Sequence, residues 1–259
     1  MASLDKSKKN RQRSRTRVRL RFYEELNDFL PPHRRKTEFE RDLPEPTTTK
    51  DLIEGCRVPH TEVDLILVNG EPVTFDHLIE DGDRVSIYPV FESLDISGST
   101  RLQERPLRNP RFVVDVNLGK LARYLRMAGF DTVYRNDAPD DELIGLMLEE
   151  DRALLTRDRP LLMRSAVKKG YLVRSDHAAD QLEEVLNRFD LKKMVRPYTR
   201  CMHCNAGLTP VDKSEIIDRL KPLTKRHYDT FSQCTGCGKL YWKGSHRDRL
   251  HPKVQSLLF

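Results

Sequence analysis

The chain has 259 residues, 37% hydrophobic and 33% charged, with a formal net charge of +6 and a pI near 9.0. That length exceeds one small domain and suits two or three; no apolar run approaches the roughly 18 residues of a membrane span, and the basic N-terminus lacks the apolar core of a signal peptide. A basic balance favours a polyanionic partner, and five cysteines, four of them in two CxxC pairs, fit a metal in a reducing, cytoplasmic setting rather than a disulfide scaffold.

Residues 1–16 (MASLDKSKKNRQRSRT) are rich in Lys and Arg and poor in apolar side chains, which predicts a disordered basic tail. It is open to two readings, a phosphate-contacting arm or a solubilising extension. Residues 17–22 (RVRLRF) alternate strictly, with Val18, Leu20 and Phe22 on one face and three arginines on the other, the pattern of a half-buried strand. A polar stretch with prolines follows, then a short helix near 49–56. DLILVNGEPV gives two strand runs around an Asn69-Gly70 turn, a strong hairpin signal. FDHLIEDGDRVSIYPV adds a turn at Asp81-Gly82-Asp83 and a last strand. Strand, helix, hairpin and strand describe a small α+β domain over 17–95. Through VNG…L…DGDRVSIYP it resembles the ubiquitin-like β-grasp fold, in particular its sulfur-carrier (ThiS/MoaD-type) branch. Those carriers act through a free C-terminal Gly-Gly. Here the strand runs on into VFESLDISGS, so the resemblance supports the fold, argues against carrier chemistry, and leaves a binding or scaffolding module with an unnamed protein partner.

Residues 96–110 (ISGSTRLQERPLRNP) lack periodicity and read as a linker. Between 111 and 190, four short apolar runs end at a carboxylate: FVV at Asp115, FDTVY running to Asp137, ALLT-Arg157 at Asp158 and YLVRS at Asp176. Each precedes a stretch with helical spacing, which predicts βαβ units and a parallel sheet. After Asp115, Leu118, Leu121, Ala122, Leu125 and Ala128 share a helix face, and Gly129 stands where a glycine ends a helix. PDDELIGLMLEED makes a second helix with Pro139 in its first turn, a short helix is expected near 159–168, and AADQLEEVLNRF forms the last.

Sites on open parallel sheets lie outside the carboxyl ends of the strands. Acids meeting there need a cation, and hard divalent ions prefer oxygen ligands. The reading is a Mg²⁺ or Mn²⁺ site for phosphodiester chemistry. Asp115 and Asp158 directly follow apolar strand runs, where a carboxylate is costly unless it serves a site. For Asp137, Asp140 and Asp176 a site role and a helix-capping role are both open. Glu142, off the apolar face, is either a solvated charge or a ligand on a longer arm. Lys120, Arg123, Arg157 and Arg159 flank the acids and suit an RNA backbone. The candidate catalytic set is therefore Asp115, Asp137, Asp140, Glu142, Asp158 and Asp176.

Residues 196–250 hold Cys201, Cys204, Cys234 and Cys237, with 29 residues between the pairs. Four thiolates so spaced match a structural, closed tetrahedral zinc site. The segment is basic: residues 192–259 carry 14 Lys or Arg against five Asp or Glu. Cys56 stands alone and reads as a small buried residue.

FVVDVNLGKLARYLRMAGFDTVY, NDAPDDELI, LLTRD and the cysteine segment ending KLYWKGSH together resemble the Mut-seven carboxy-terminal ribonuclease family, over roughly residues 17–250. The resemblance implies a PIN-like nuclease domain with an appended zinc ribbon, preceded by a ubiquitin-like domain. It also implies metal-dependent RNA cleavage by acids at Asp115, the 137–142 segment and Asp158. The reaction expected is hydrolysis of an RNA phosphodiester, with Asp115 and Asp158 on the cation and Asp140 or Glu142 completing the shell. The rival is a non-catalytic RNA- or ribosome-binding protein; ribosome and tRNA are its partner candidates. A third class is phosphotransfer on an aspartate, as in phosphatases or response receivers; its haloacid-type phosphatase form is disfavoured because Asn117 stands two residues beyond Asp115, where that chemistry uses a second acid.

Overall fold

The computed structural model describes residues 16–89, 110–242 and 250–259, so nearly all of the expected tail and linker lie outside the described residues. The chain divides into two units, residues 1–103 and 104–259. No helix among the described residues is long and apolar enough to cross a membrane.

In the first unit, strand β1 (Thr16–Phe22) buries Val18, Leu20 and Phe22 and turns its arginines outward, as the alternation predicts. It is followed by β2 (Phe39–Leu43), α1 (Thr49–Glu54), β3 (Val63–Val68), β4 (Glu71–Val73) and β5 (Arg84–Pro89). The sheet order is β2-β1-β5-β3-β4, with β1 and β5 parallel at the centre and the other pairs antiparallel. This is the β-grasp arrangement. The hairpin turn between β3 and β4 has positive φ at Asn69 (53°) and Gly70 (94°), as its turn type demands. The Asn69 side chain then donates to Asp83 Oδ1 (2.8 Å) and accepts from the Arg84 amide (3.0 Å), tying this turn to the one before β5. Strand β2 is an addition to the sequence expectation. FERDL is charged on its open face and becomes a strand by pairing with β1, Arg17 opposite Asp42 and Arg19 opposite Glu40.

The second unit opens with β6 (Arg111–Val114), α2 (Gly119–Met127), β7 (Asp131–Tyr134), α3 (Asp140–Glu149), β8 (Ala153–Thr156), α4 (Arg159–Leu162), β9 (Gly170–Leu172) and α5 (Ala178–Arg188). The strands form one sheet in the order β7-β6-β8-β9, all parallel. Phe112, Val114 and Leu155 face a core shared with α2 and α5, while Val113 and Leu154 alternate to the face covered by α3. Helices thus cover both faces. The connection from β6 leads one way across the sheet and that from β8 the other, so the topological switch point lies between those two strands. Gly129 closes α2 with φ +100°, and the Arg196 carbonyl comes so near that a Cβ there would lie 2.4 Å from it. Two helix limits differ from expectation. Pro139 is the N-cap of α3 rather than a first-turn residue, and α4 ends at Leu162 instead of running to 168.

Beyond α5, β10 (Leu208–Val211), α6 (Lys213–Ile216), α7 (Pro222–His227), β11 (Phe231–Cys234) and β12 (Leu240–Trp242) make a small antiparallel sheet with a helical insertion. The last helix, α8 (Pro252–Leu258), returns to the parallel sheet's core through Val254 and Leu258. Its Lys253 pairs with Asp180 and Glu183 of α5. The core of the parallel sheet therefore draws on residues well past 190.

Candidate functional site

Strand β6 ends at Val114, and Asp115 follows, only 6% exposed. Its Oδ2 accepts a hydrogen bond from the Thr156 hydroxyl (2.6 Å), its Oδ1 accepts from the Val116 amide (2.6 Å), and its own amide donates to the Leu155 carbonyl (3.0 Å). Thr156, fully buried at the end of β8, also accepts from the Asp158 amide (2.8 Å). One hydroxyl thus joins the carboxyl ends of β6 and β8 across the switch point. Asp158 is exposed and caps α4, accepting from the Leu161 amide (3.4 Å). The turn after Asp115 is held from the β7 side as well. Tyr134 donates to the Val116 carbonyl (3.0 Å), and its hydroxyl lies 2.5 Å from where a Cβ on Gly119 would stand. Only glycine leaves room for that ring.

The remaining acids sit along the same sheet end in different states. Asp137 and Asp140, before and at the start of α3, are exposed and have no ion-pair partner among the described residues. Glu142 is paired with Arg135, and Asp141 with Arg164. Asp176 is 79% exposed at its side chain and pairs with Arg157 (2.6 Å). It does not cap α5; His177 occupies that position. Lys120 and Arg123 stand exposed on α2 without a carboxylate partner among the described residues, and Arg159 is half-buried. The acids are not drawn together as a ready-made ligand set. Among the described residues, the group whose ligand atoms all lie within 4.8 Å is Cys201, Cys204, Cys234 and Cys237.

That cluster is built by two tight turns. Cys201 and Cys234 are buried, Cys204 and Cys237 exposed. The Cys204–Cys234 sulfurs are 3.3 Å apart and Cys201–Cys237 3.7 Å, close to the roughly 3.8 Å edge of a tetrahedron with ~2.3 Å zinc–sulfur bonds. At Gly236 a Cβ would meet Ala206 Cβ at 2.9 Å, so the second turn requires glycine. Burial opposes ionisation of Cys201, yet the Tyr241 hydroxyl and the amides of Cys204 and His203 outweigh it and bring the thiol down to about 6. Burial and its thiol neighbours push Cys204 up to about 12. Neighbouring thiols cannot all ionise without a cation, and four sulfurs in this geometry fit zinc.

The first turn is welded to the parallel sheet at the end opposite Asp115. Asn205 accepts from the Thr132 amide (3.0 Å) and donates to Asp131 Oδ1 (2.8 Å), at the amino end of β7. Arg126, 5% exposed, donates to the carbonyls of Thr132 (2.8 Å) and His203 (2.9 Å). Asp131 also accepts from Arg152 (2.7 Å) and Arg200 (3.1 Å). Burial alone would raise Asp131, but the bonds from Arg152 and Asn205 and the charges of Arg152 and Arg200 win and hold its carboxyl below the ordinary range. A depressed carboxylate adds stability that is present above its unfolded pKa and is lost as pH falls through the folded one.

Thr156 is a residue of the site that the sequence barely marks. Its one local signal is a hydroxyl closing an otherwise apolar run directly before Arg157-Asp158. Replacing it by Val keeps the shape but removes the donor to Asp115 and the acceptor for Asp158. A hydrogen bond to a charged group is worth about 1.5–3 kcal/mol, so Thr156→Val should slow any reaction depending on Asp115 by about 10- to 100-fold. RNA affinity should stay as it was, and paired rate and binding measurements check this.

In comparisons with known proteins, the family model described as the Mut7-C RNAse domain matches residues 110–254, and the one described as Mut7-C ubiquitin matches residues 15–95. No curated protein and no solved structure matches the chain. The first match points to a nuclease-type function and the second to a ubiquitin-like domain, in the order read from the sequence.

Proposed function

We propose, from the premise that this chain belongs to the Mut7-C RNAse domain family, that its second unit hydrolyses RNA phosphodiester bonds at a Mg²⁺ or Mn²⁺ site in the crevice between β6 and β8. The observation that carries this reading is Asp115, a buried carboxylate at the switch point of a parallel sheet, fixed by Thr156 and by the Val116 amide. Each of its oxygens gives one lone pair to those donors and keeps another. Hard oxygen donors at a fixed position fit a hard divalent cation. When bound, such a cation activates water and neutralises charge on the reacting phosphate.

Asp115 and Asp158 are the ligands we assign to it. Asp140 is favoured as the third acid, because at the start of α3 it has no ion-pair partner among the described residues, while Glu142 is engaged by Arg135. Asp137 lies three residues earlier, in the turn before α3, and serves the same shell through water. Asp176 holds Arg157 in place, and Arg157, Arg159, Lys120 and Arg123 are the cations we assign to the phosphates of the strand. Zinc at the cysteines is structural, because a closed four-thiolate site offers no open position for substrate.

The test is cleavage of an end-labelled single-stranded RNA. Products should appear with added Mg²⁺ or Mn²⁺ and vanish on brief chelation that leaves zinc bound. Salt-sensitive RNA binding without products under any divalent ion would replace this reading with a non-catalytic RNA-binding protein.

A further inference from the structure

The strand pair β10–β11 is joined by far more chain than a ribbon needs. Residues 212–230 form an insertion that shares a small core with the ribbon strands: its Ile216 and Leu220 are buried with Phe231 of β11, and Tyr228 and Trp242 pack against them. The insertion is pinned to the second cysteine turn by Arg219, whose guanidinium donates to the Gly238 carbonyl (2.6 Å). A rigid platform results, and its composition is one-sided. Residues 219–227 carry Arg219, Lys221, Lys225, Arg226 and His227 and no acid. The acids of the insertion are elsewhere: Asp212 caps α6, Asp229 pairs with Lys213 (2.7 Å), and Glu215 and Asp218 precede the basic stretch. Among the described residues, Lys221, Lys225 and Arg226 have no carboxylate partner. Leu223, 71% exposed, stands between them.

We infer that α7 with its flanking Lys221 is an RNA-docking surface separate from the cleavage crevice, one that grips the phosphate backbone of a strand extending beyond it. The inference rests on the ribonuclease reading above for its choice of RNA as the polyanion. Charge complementarity carries it: clustered cations with no carboxylate partner among the described residues release counterions when they meet phosphates. The ribbon that carries α7 is anchored at the sheet end away from the acids. The ribbon joins the parallel sheet at the amino end of β7, whereas Asp115 follows the carboxyl end of β6. Those two ends are on the order of 13 Å apart along a four-residue strand. A short RNA can fill the crevice without reaching α7; a long one reaches both.

The experiment compares the full-length chain with its Lys221→Gln/Lys225→Gln/Arg226→Gln variant, using a long and a short fluorescent single-stranded RNA over a salt series. Affinity for the long RNA should fall about tenfold at low salt. The log–log salt slope should shrink by ~0.7 for each lost phosphate contact. Affinity for and cleavage of the short RNA, and zinc content, should not change. An unchanged affinity and slope for the long RNA would overturn the inference. So would a loss confined to anionic phospholipid vesicles, which the cations and Leu223 would also suit. If neither protein cuts RNA but the variant still loses slope, the docking surface stands and the nuclease reading falls.

Discussion

Replacing Cys201 by Ser should unfold most of the second unit, not only its C-terminal ribbon. Loss of a structural zinc removes folding energy on the order of 10 kcal/mol in peptide systems, as much as the whole stability of an ordinary domain. The ribbon is not a free appendage that absorbs this loss alone. Its first turn supplies Asn205 and the His203 carbonyl to Thr132, Asp131 and Arg126. When that turn loosens, Arg126, 5% exposed, loses the His203 carbonyl, and Asp131, which pairs with the buried Arg152, loses Asn205 and Arg200. Leaving a buried polar group without its partner costs about 1–3 kcal/mol, more where the group is charged. Amide exchange read residue by residue should therefore rise through β7 and β6 in the zinc-free protein. The first unit, which shares none of these bonds, should keep its protection. Intact protection across β6, β7 and β8 in zinc-free protein would refute the coupling.

The second large effect is on the reaction. Asp115→Asn should abolish cleavage, because an amide keeps the shape, and its one oxygen can still accept from the Val116 amide with its nitrogen turned toward the Thr156 hydroxyl, but it removes the anionic ligand. Asp158→Asn should do the same, with less structural consequence, since Asp158 is exposed and its capping bond is long (3.4 Å). Folding should survive both changes. A buried carboxylate with no cationic partner among the described residues is costly in the metal-free state, so Asp115→Asn should hold or raise the melting temperature. RNA binding should persist, since its charges lie elsewhere. Glu142→Gln should cost little, because Glu142 is spent on Arg135, and Asp140→Asn should cost far more. Rates and affinities measured on the same preparations decide each point; equal losses in the Glu142 and Asp140 variants would remove Asp140 from its role.

Much of this was readable in the chain because local chemistry and tertiary fate agree. Apolar runs ending in Asp115 and Asp158 became strands whose carboxyl ends carry those acids, and Asn69-Gly70 and Gly129 took the positive φ their positions demand. The four cysteines met in space as their spacing implies. What escaped depends on partners distant in sequence. Strand β2 has no apolar run of its own and exists by pairing its charges with those of β1. Helix α8 is a short segment whose Val254 and Leu258 acquire meaning only against α5. Asn205 reads as a turn residue, and its φ of 70° agrees, but its side chain bonds a strand edge 73 residues earlier. Thr156 looks like one more strand residue until the switch point sets it beside Asp115. The pairings of Glu142 with Arg135 and of Asp176 with Arg157 likewise follow from where strand ends fall, not from spacing.

The central claim is that the crevice between β6 and β8 holds the cation. Iron(II) replacing it would generate hydroxyl radicals with ascorbate and peroxide and cut the nearby protein backbone. In zinc-loaded protein the account predicts cuts at 114–117 and 156–159, suppressed by excess Mg²⁺ and absent from Asp115→Asn. Cuts confined to other segments, or a pattern unchanged in Asp115→Asn, would contradict it.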